Sequence, residues 1–174
     1  MYRTGARRVE SGKGGDSRLR RDAQKDAAGR ILLASDSRIM RLYLREAIEA
    51  EPQWEVCGEA GDGWETLQMA LKLQPNLIIL DVSIPRGNAL EVAQLLRRAR
   101  PETPLLFLSA DCSPEACQDA KQAGAAGYLA KRDAVENLSD AIRALLDERS
   151  YFPAPENCEA DVAGGGAISR RSPR

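Results

Sequence analysis

Four side chains that could do chemistry stand at or just after the ends of short apolar runs: two carboxylates, a hydroxyl and an ammonium. They belong to Asp36, Asp81, Ser109 and Lys131. Asp81 is the most informative, because the run Leu77–Leu80 before it indicates a strand that is buried on both faces. A carboxylate is costly to place there, so chemistry explains it better than packing does. In open α/β sheets, ligands bind at the carboxyl ends of the strands.

A carboxylate can act as a nucleophile or bind a hard cation, and hydroxyl and ammonium groups can donate hydrogen bonds to an anionic ligand. If the apolar runs form parallel strands, the four side chains meet at one edge of the sheet. Taken alone, each residue also has an ordinary interpretation as a loop acid, a turn serine or a solvated lysine. The arrangement of the surrounding elements therefore decides between the two interpretations.

Segments with helical periodicity alternate with the apolar runs. Apolar residues spaced for one face of a helix occur over residues 40–48, 89–96 and 138–146. Strands that alternate with helices pair in parallel through right-handed crossovers. We therefore predict an α/β, flavodoxin-like fold with a five-stranded parallel sheet, order 2-1-3-4-5, and helices on both faces. The second strand, 54–59, is the least apolar and is predicted at the edge.

The fourth helix has clear boundaries in the sequence. Ser113 followed by Pro114 indicates a helix start, and Gly124 indicates its end. The apolar face between them is mostly alanine, so we expect this helix to pack thinly against the sheet.

Three segments in register resemble the receiver domain of two-component response regulators. They are Val56–Gly63, Asp81–Pro85 and Ala123–Lys131. The resemblance covers roughly residues 30–149 and is greatest to the subfamily that is usually joined to a LuxR-type helix-turn-helix domain. It implies a CheY-like fold and a protein that receives a phosphoryl group from a histidine kinase or a phosphotransfer protein.

Phosphoryl transfer to a carboxylate needs a nucleophile, a hard cation that neutralises the phosphoryl oxygens, and fixed hydrogen-bond donors. The resemblance implies that this chain provides the nucleophile, the donors and a site for Mg²⁺ as the cation. Asp81 would be the phosphoacceptor, and Asp36, Asp81 and the backbone carbonyl of Ser83 would hold the Mg²⁺ ion. The family usually has a second acid where this chain has Ser35. We expect this loss of negative charge outside the direct ligands to weaken Mg²⁺ binding without abolishing phosphorylation.

Three further residues acquire roles from the resemblance. Lys131 would pair with Asp81 and then with a phosphoryl oxygen. Ser109 would hydrogen-bond the bound phosphoryl group, and Tyr128 would swing inward when Ser109 moves. The face formed by the fourth helix, the fifth strand and the fifth helix would then change its affinity for a downstream protein or for a second copy of the chain.

The leading hypothesis is therefore a phosphorylation-switched receiver that acts in transcription control and whose only enzymatic activities are its own phosphorylation and dephosphorylation. One alternative is a degenerate receiver that binds partners without phosphate, which Ser35 favours. A flavodoxin-like module that binds FMN shares the fold, but it needs a glycine-rich phosphate loop after the first strand. Residues 34–38 contain no glycine and one carboxylate, which opposes that interpretation.

Composition sets the remaining expectations. The chain has 174 residues, a net charge of −1 and no histidine, which excludes catalytic triads with histidine and phosphohistidine. Residues 1–30 hold nine Lys/Arg against four Asp/Glu, whereas residues 31–150 are acidic. We predict a disordered basic arm over 1–29, a receiver domain over 30–150 and a disordered tail over 151–174 without a DNA-binding domain. No segment approaches the ~18 apolar residues of a membrane span.

These features predict a cytoplasmic protein that binds neither a membrane nor nucleic acid directly. The four cysteines, Cys57, Cys112, Cys117 and Cys158, do not have the spacing of a zinc site and are interpreted as cytosolic thiols.

Overall fold

The computed structural model describes residues 29–153, and its centre is a five-stranded parallel sheet. The strands are β1 (Gly29–Ala34), β2 (Trp54–Ala60), β3 (Leu77–Asp81), β4 (Leu105–Ser109) and β5 (Gly127–Ala130). They pair in the order β2-β1-β3-β4-β5, and every pairing is parallel. The predicted flavodoxin-like, CheY-like fold is therefore confirmed, and β2 lies at an edge.

A helix follows each strand. The helices are α1 (Arg38–Glu49), α2 (Gly63–Leu73), α3 (Ala89–Ala99), α4 (Pro114–Gln122) and α5 (Ala134–Leu146), with a short 3₁₀ helix (Lys131–Asp133) between β5 and α5. Side chains that accept a hydrogen bond from a backbone N–H cap the first four: Ser37, Asp62, Asn88 and Ser113. Within residues 29–153, no helix combines the length and the apolar character that crossing a membrane requires.

Two apolar cores, one on each face of the sheet, hold the helices in place. On one face, alternate strand residues pack against α2, α3 and α4. On the other, the intervening strand residues pack against α1 and α5. Because the central strands are covered on both sides, their sequences are apolar at almost every position. The polar residues that end them therefore stand out.

Helix α4 is thinly anchored, as its alanine-rich sequence suggests. Of its nine residues, only Cys117 and Ala120 are buried. Gly124, which follows the helix, has φ = 93°, a left-handed conformation that glycine adopts at little cost. The helix therefore begins and ends where the sequence indicates, and little apolar contact fixes it to the sheet.

The sheet extends one residue past each boundary predicted for the receiver domain. Gly29, assigned to the basic arm, is the first residue of β1, where its N–H donates to the Gln53 carbonyl at 2.6 Å. Tyr151, assigned to the disordered tail, pairs with β5: its N–H donates to the Ala126 carbonyl at 3.1 Å and its carbonyl accepts from the Tyr128 N–H at 2.7 Å. Backbone pairing at a sheet edge requires no apolar periodicity, so the sequence pattern did not reveal it.

Phe152 and Pro153 are also among the described residues, and Lys121 Nζ lies 4.5 Å from the centroid of the Phe152 ring. The rest of the predicted arm and the predicted tail beyond residue 153 lie outside the described residues.

Candidate functional site

Asp81 lies at the carboxyl end of β3, in the middle of the sheet. All residues of this strand are buried, because β1 and β4 flank it and helices cover both of its faces. The Asp81 side chain is only 1% exposed. Its negative charge must therefore be compensated by neighbouring polar groups.

Four hydrogen-bond contacts surround the Asp81 carboxylate. Lys131 Nζ lies 2.7 Å from Oδ2, and the Ser35 hydroxyl donates to the same oxygen at 2.9 Å. Ser83 donates twice to Oδ1, through its backbone N–H at 3.0 Å and its hydroxyl at 2.6 Å. Lys131 Nζ also donates to the Ser83 hydroxyl oxygen at 3.1 Å. Each carboxylate oxygen thus accepts from two donors, an arrangement that stabilises an ionised carboxylate.

Two opposed effects set the pKa of Asp81. Burial raises this pKa, because it desolvates the charged form, whereas the hydrogen bonds from Lys131, Ser83 and Ser35 lower it. The net result is a pKa below the ordinary value of 3.8. Asp81 is therefore ionised at neutral pH, so it can act as a nucleophile or as a ligand for a cation.

The sheet register brings these groups together from distant parts of the chain. Ala34 pairs with Leu80, so Ser35 comes to lie beside Asp81 when β1 and β3 form their ladder. Lys131 follows β5, two strands away, and its long side chain reaches across to Asp81 while remaining 24% exposed. Of the four side chains predicted to meet at this edge, Asp81 and Lys131 are in direct contact, whereas Ser109 accepts from the Asp111 N–H and makes no hydrogen bond to Asp81 among the described residues.

Ser109 and Tyr128 are linked through the loop after β4. The Ser109 hydroxyl oxygen accepts from the Asp111 N–H at 3.1 Å, and the Tyr128 hydroxyl donates to the Asp111 carbonyl at 2.6 Å. Burial raises the pKa of Tyr128 to about 12, with the Ser109 hydroxyl offsetting part of this effect, so the phenol stays a neutral donor. The ring is 2% exposed and meets Phe107 edge-on. Tyr128 is thus already inward, whereas the family resemblance implies that it moves inward when Ser109 moves.

The residues assigned to Mg²⁺ offer oxygen ligands of the right kind. Asp36 follows Ser35 just after β1 and is exposed, Asp81 is the last residue of β3, and Ser83 lies in the loop after that strand. Within residues 29–153, no group of three or more His, Cys, Asp or Glu side chains is arranged to hold a metal ion. Two carboxylates and one carbonyl nonetheless fit Mg²⁺, which keeps several water ligands and needs few from the protein.

Sequence reasoning missed two contributions that the structure reveals. Ser83 was assigned only a backbone carbonyl, yet its hydroxyl contacts both Asp81 and Lys131. Its position two residues after an aspartate is typical of a local Asx turn, a signal that could have indicated this contact. Arg41 donates to the Ser35 carbonyl at 2.6 Å, and no sequence motif pointed to that bond.

The chain is similar in sequence to a known protein family and to several known proteins. Residues 31–143 match the family model described as the response regulator receiver domain. A transcriptional regulatory protein of Bacillus subtilis, YxjL, is 37% identical over 123 residues, which cover 71% of this chain and 56% of that protein. The transcriptional regulatory protein PdtaR of Mycobacterium tuberculosis is 34% identical over 142 residues, covering 82% of this chain and 67% of PdtaR. This chain thus spans a little over half to two thirds of these relatives.

A solved structure shows the same architecture. A LuxR-family two-component response regulator from Aurantimonas sp. superposes with a TM-score of 0.71 at 28% sequence identity. The alignment covers 78% of this chain and 98% of that structure.

Proposed function

This chain belongs to the response regulator receiver domain family, as its sequence resemblance indicated, and we propose that it accepts a phosphoryl group on Asp81 in a two-component phosphorelay. The single observation that carries the proposal is the buried Asp81 carboxylate with Lys131 Nζ at 2.7 Å. Incubation with acetyl phosphate and Mg²⁺ should add the mass of one phosphoryl group to the intact chain. An unchanged mass would contradict the proposal.

The proposed reaction is an in-line displacement at phosphorus. One oxygen of the Asp81 carboxylate attacks the phosphorus atom as the bond to the donor oxygen or nitrogen breaks. Acetyl phosphate releases acetate as the anion, whereas a phosphohistidine releases an imidazole whose other nitrogen carries a proton. Lys131 supplies a fixed positive charge beside the attacking carboxylate and then beside the new acyl phosphate. The Ser35 and Ser83 hydroxyls are donors already in place, so they need little reorganisation as charge develops.

Mg²⁺ is the cofactor that the family resemblance and the donor set both support. Receiver domains of this family generally use Mg²⁺ for phosphorylation, and in this chain Asp36, Asp81 and the Ser83 carbonyl would hold it. The ion would neutralise charge on the phosphoryl oxygens. The protein contributes orientation, because Asp81 is fixed by its four donors.

Restoring the missing acid should strengthen Mg²⁺ binding. In the variant Ser35→Asp, a second carboxylate stands beside Asp81, and the added negative charge attracts the cation directly or through its water ligands. We expect the dissociation constant for Mg²⁺, measured by calorimetry, to fall by about tenfold. Ser37→Asp, which adds the same charge at the exposed cap of α1, is the matched control. Equal affinities in wild type and Ser35→Asp would show that an acid in place of Ser35 does not change Mg²⁺ binding.

The phosphodonor would be a histidine kinase or a phosphotransfer protein, because this chain has no histidine of its own. Two exposed apolar side chains stand near the start of the helices that follow Asp36 and Lys131. Ile39 on α1 and Val135 on α5 are 82% and 72% exposed, and each is the second residue of its helix. A partner that docks there would bring its phosphohistidine next to Asp81.

The proposed output is a change in protein binding through the face formed by α4, β5 and α5, to a downstream protein or a second copy. Relatives named as transcriptional regulators make transcription control the proposed context. Helix α4 can respond because it is thinly anchored and borders a cavity of about 450 Å³ that Tyr128, Phe107 and Ala120 help to line. A few kcal/mol of differential contact suffices for such a population shift.

Amide exchange should locate this response. With a phosphodonor and Mg²⁺, exchange rates should change most in residues 109–135, because Ser109, Tyr128 and Lys131 all lie in that segment. The matched control is the same treatment without Mg²⁺. Changes confined to the loop after Asp81 would contradict the proposed output surface.

One observation favours a second candidate, a receiver that binds its partner without phosphorylation. Ser35 replaces an acid and donates to Asp81, so protein donors already occupy both carboxylate oxygens. This degenerate receiver would gain no mass on exposure to acetyl phosphate, so the mass measurement separates the two candidates. It would also bind its partners with equal affinity before and after that exposure.

A further inference from the structure

We propose that Arg41 is a positioning residue for the phosphorylation site: it fixes the peptide group between Ser35 and Asp36 and so orients Asp36 toward a bound Mg²⁺ ion. This inference rests on the proposed function, because Asp36, the residue that Arg41 would position, is a Mg²⁺ ligand of that same site. Arg41 itself makes no contact with Asp81 among the hydrogen bonds of the described residues. Its effect would pass through the backbone of the loop after β1.

The Arg41 side chain bridges the loop after β1 and strand β2, and this pair of hydrogen bonds is called the clamp below. Its Nη1 atom donates to the Ser35 carbonyl oxygen at 2.6 Å, and its Nε atom donates to Glu59 Oε2 at 2.9 Å. Its side chain is only 19% exposed. A guanidinium group offers several donors in one rigid plane, so it can hold a carbonyl and a carboxylate at the same time. A lysine in its place has a single ammonium and cannot reproduce both directions.

The other polar groups of Ser35 are also engaged. The Ser35 N–H donates to the Ala60 carbonyl at 3.0 Å, and the Ser35 hydroxyl donates to Asp81 Oδ2 at 2.9 Å. With the Arg41 bond to its carbonyl, Ser35 is held through its N–H, its side chain and its C=O. The C=O belongs to the same planar peptide unit as the N–H of Asp36. Fixing that plane restricts the direction in which the Asp36 side chain leaves the backbone.

Asp36 needs such help because its own surroundings do not fix it. The residue is exposed, so packing does not select its rotamer. In a site that has Ser35 where the family usually has an acid, Asp36 is the main charged ligand besides Asp81. A small error in its direction would therefore cost a large part of the cation affinity.

Glu59 anchors the clamp and also balances its charge. It lies on β2 and accepts from both Arg41 and Arg45. Burial raises the pKa of Glu59, but its hydrogen bonds with Arg45 and Arg41 outweigh this effect and keep the pKa below its ordinary value. Glu59 is thus ionised at neutral pH. Arg45 donates to Glu59 and Glu49 rather than to the Ser35 carbonyl, which makes it a natural control.

Positioning and simple electrostatics predict opposite results for a neutral variant. Arg41 carries a positive charge near a cation site, so if its charge alone mattered, Arg41→Gln would reduce repulsion and tighten Mg²⁺ binding. If Arg41 positions Asp36, the same variant loosens the loop and weakens Mg²⁺ binding. Arg41→Lys keeps the charge but loses one of the two hydrogen bonds, so only the positioning role predicts that this variant also weakens Mg²⁺ binding.

The test is a Mg²⁺ titration by calorimetry on the full chain without a phosphodonor, using Arg41→Gln, Arg41→Lys and the charge-matched control Arg45→Gln. We expect the first two variants to raise the dissociation constant for Mg²⁺ about tenfold. Arg45→Gln should change this constant by roughly twofold or less. Circular dichroism melts establish whether each variant is folded. If Arg41→Gln does not fold, Arg41→Lys still tests the proposal. Unchanged or tighter binding in both Arg41 variants, or equal weakening in Arg45→Gln, would overturn the proposal.

Because this titration does not depend on phosphorylation, it can fail while Asp81 is still phosphorylated. Conversely, a chain that binds Mg²⁺ as expected but gains no phosphoryl group would overturn the proposed function and leave the role of Arg41 standing. In the Arg41 variants, saturating Mg²⁺ should restore phosphorylation by acetyl phosphate to at least half of the wild-type extent. A defect that persists at saturating Mg²⁺ would contradict a role confined to positioning Asp36.

Discussion

Replacing Asp81 with asparagine is expected to abolish phosphorylation of this protein completely. Wild-type protein treated with acetyl phosphate and Mg²⁺ should gain one phosphoryl group, and hydroxylamine should remove it, because acyl phosphates react with that nucleophile. Asp81→Asn has nearly the same shape but an uncharged amide that does not form an acyl phosphate. Intact mass spectrometry before and after hydroxylamine treatment measures the effect.

The matched control is Glu115→Gln, which neutralises an exposed acid near the start of α4. This variant should gain the phosphoryl group to the same extent as wild type. A phosphoryl gain that persists in Asp81→Asn, or one that resists hydroxylamine, would place the modification on another residue and contradict the proposed site.

Replacing Lys131 with methionine should have the second largest effect, about a 100-fold slower phosphorylation at fixed phosphodonor concentration. The ammonium is the cation that contacts the Asp81 carboxylate, at 2.7 Å, and methionine retains the length of the side chain without its charge. The neighbouring Arg132→Met is the matched control, because Arg132 is exposed and pairs with Asp133 at 3.6 Å. Rapid-mixing measurements of phosphorylation, followed by intact mass, give the rate constants.

The same variant should change how stability depends on pH. The pKa of Asp81 is lower in the folded chain than its ordinary value of 3.8, so its ionisation stabilises the fold above that pH and this contribution is lost as pH falls through the folded-state pKa. In Lys131→Met the burial of Asp81 remains while its strongest partner is gone. The loss of unfolding free energy should therefore be larger at pH 7 than at pH 3, and urea denaturation at both pH values measures it. Equal losses at both pH values would show that Lys131 does not stabilise the charged form.

The sheet could be predicted because each strand has a local cause in the sequence. The runs that form β3 and β4 are apolar throughout, as strands buried on both faces must be, and helical periodicity separates them. Alternation of this kind leaves few possible topologies. The pairing of Tyr151 with β5 could not be predicted in this way, because it depends on backbone groups at an edge and leaves no pattern of side chains.

The candidate site was predicted in part for a similar reason. Asp81 and Lys131 stand out because a charge at the end of a buried apolar run is costly unless it has a partner or a chemical role. The Ser83 hydroxyl and Arg41 were missed because serine and arginine are ordinary in loops and on helices. Only the three-dimensional structure shows that these two side chains turn toward the loops around Asp81.

Arg41 also shows where local sequence signals end. Its bonds join α1 to the loop after β1 and to Glu59 on β2, which lie 6 and 18 residues away in the chain. The helical pattern places Arg41 on α1 but says nothing of the carbonyl it meets. Such contacts follow from the packing of the helix against the sheet.

Chemical mapping of the phosphoryl group tests most directly whether Asp81 is the phosphoacceptor. Borohydride reduces an aspartyl phosphate to homoserine, which marks the modified residue through peptide isolation and tandem mass spectrometry. After treatment of the full chain with acetyl phosphate and Mg²⁺, we predict homoserine at position 81 and at no other acid. Homoserine at another position, or none in a protein that binds Mg²⁺, would contradict the claim that Asp81 accepts the phosphoryl group.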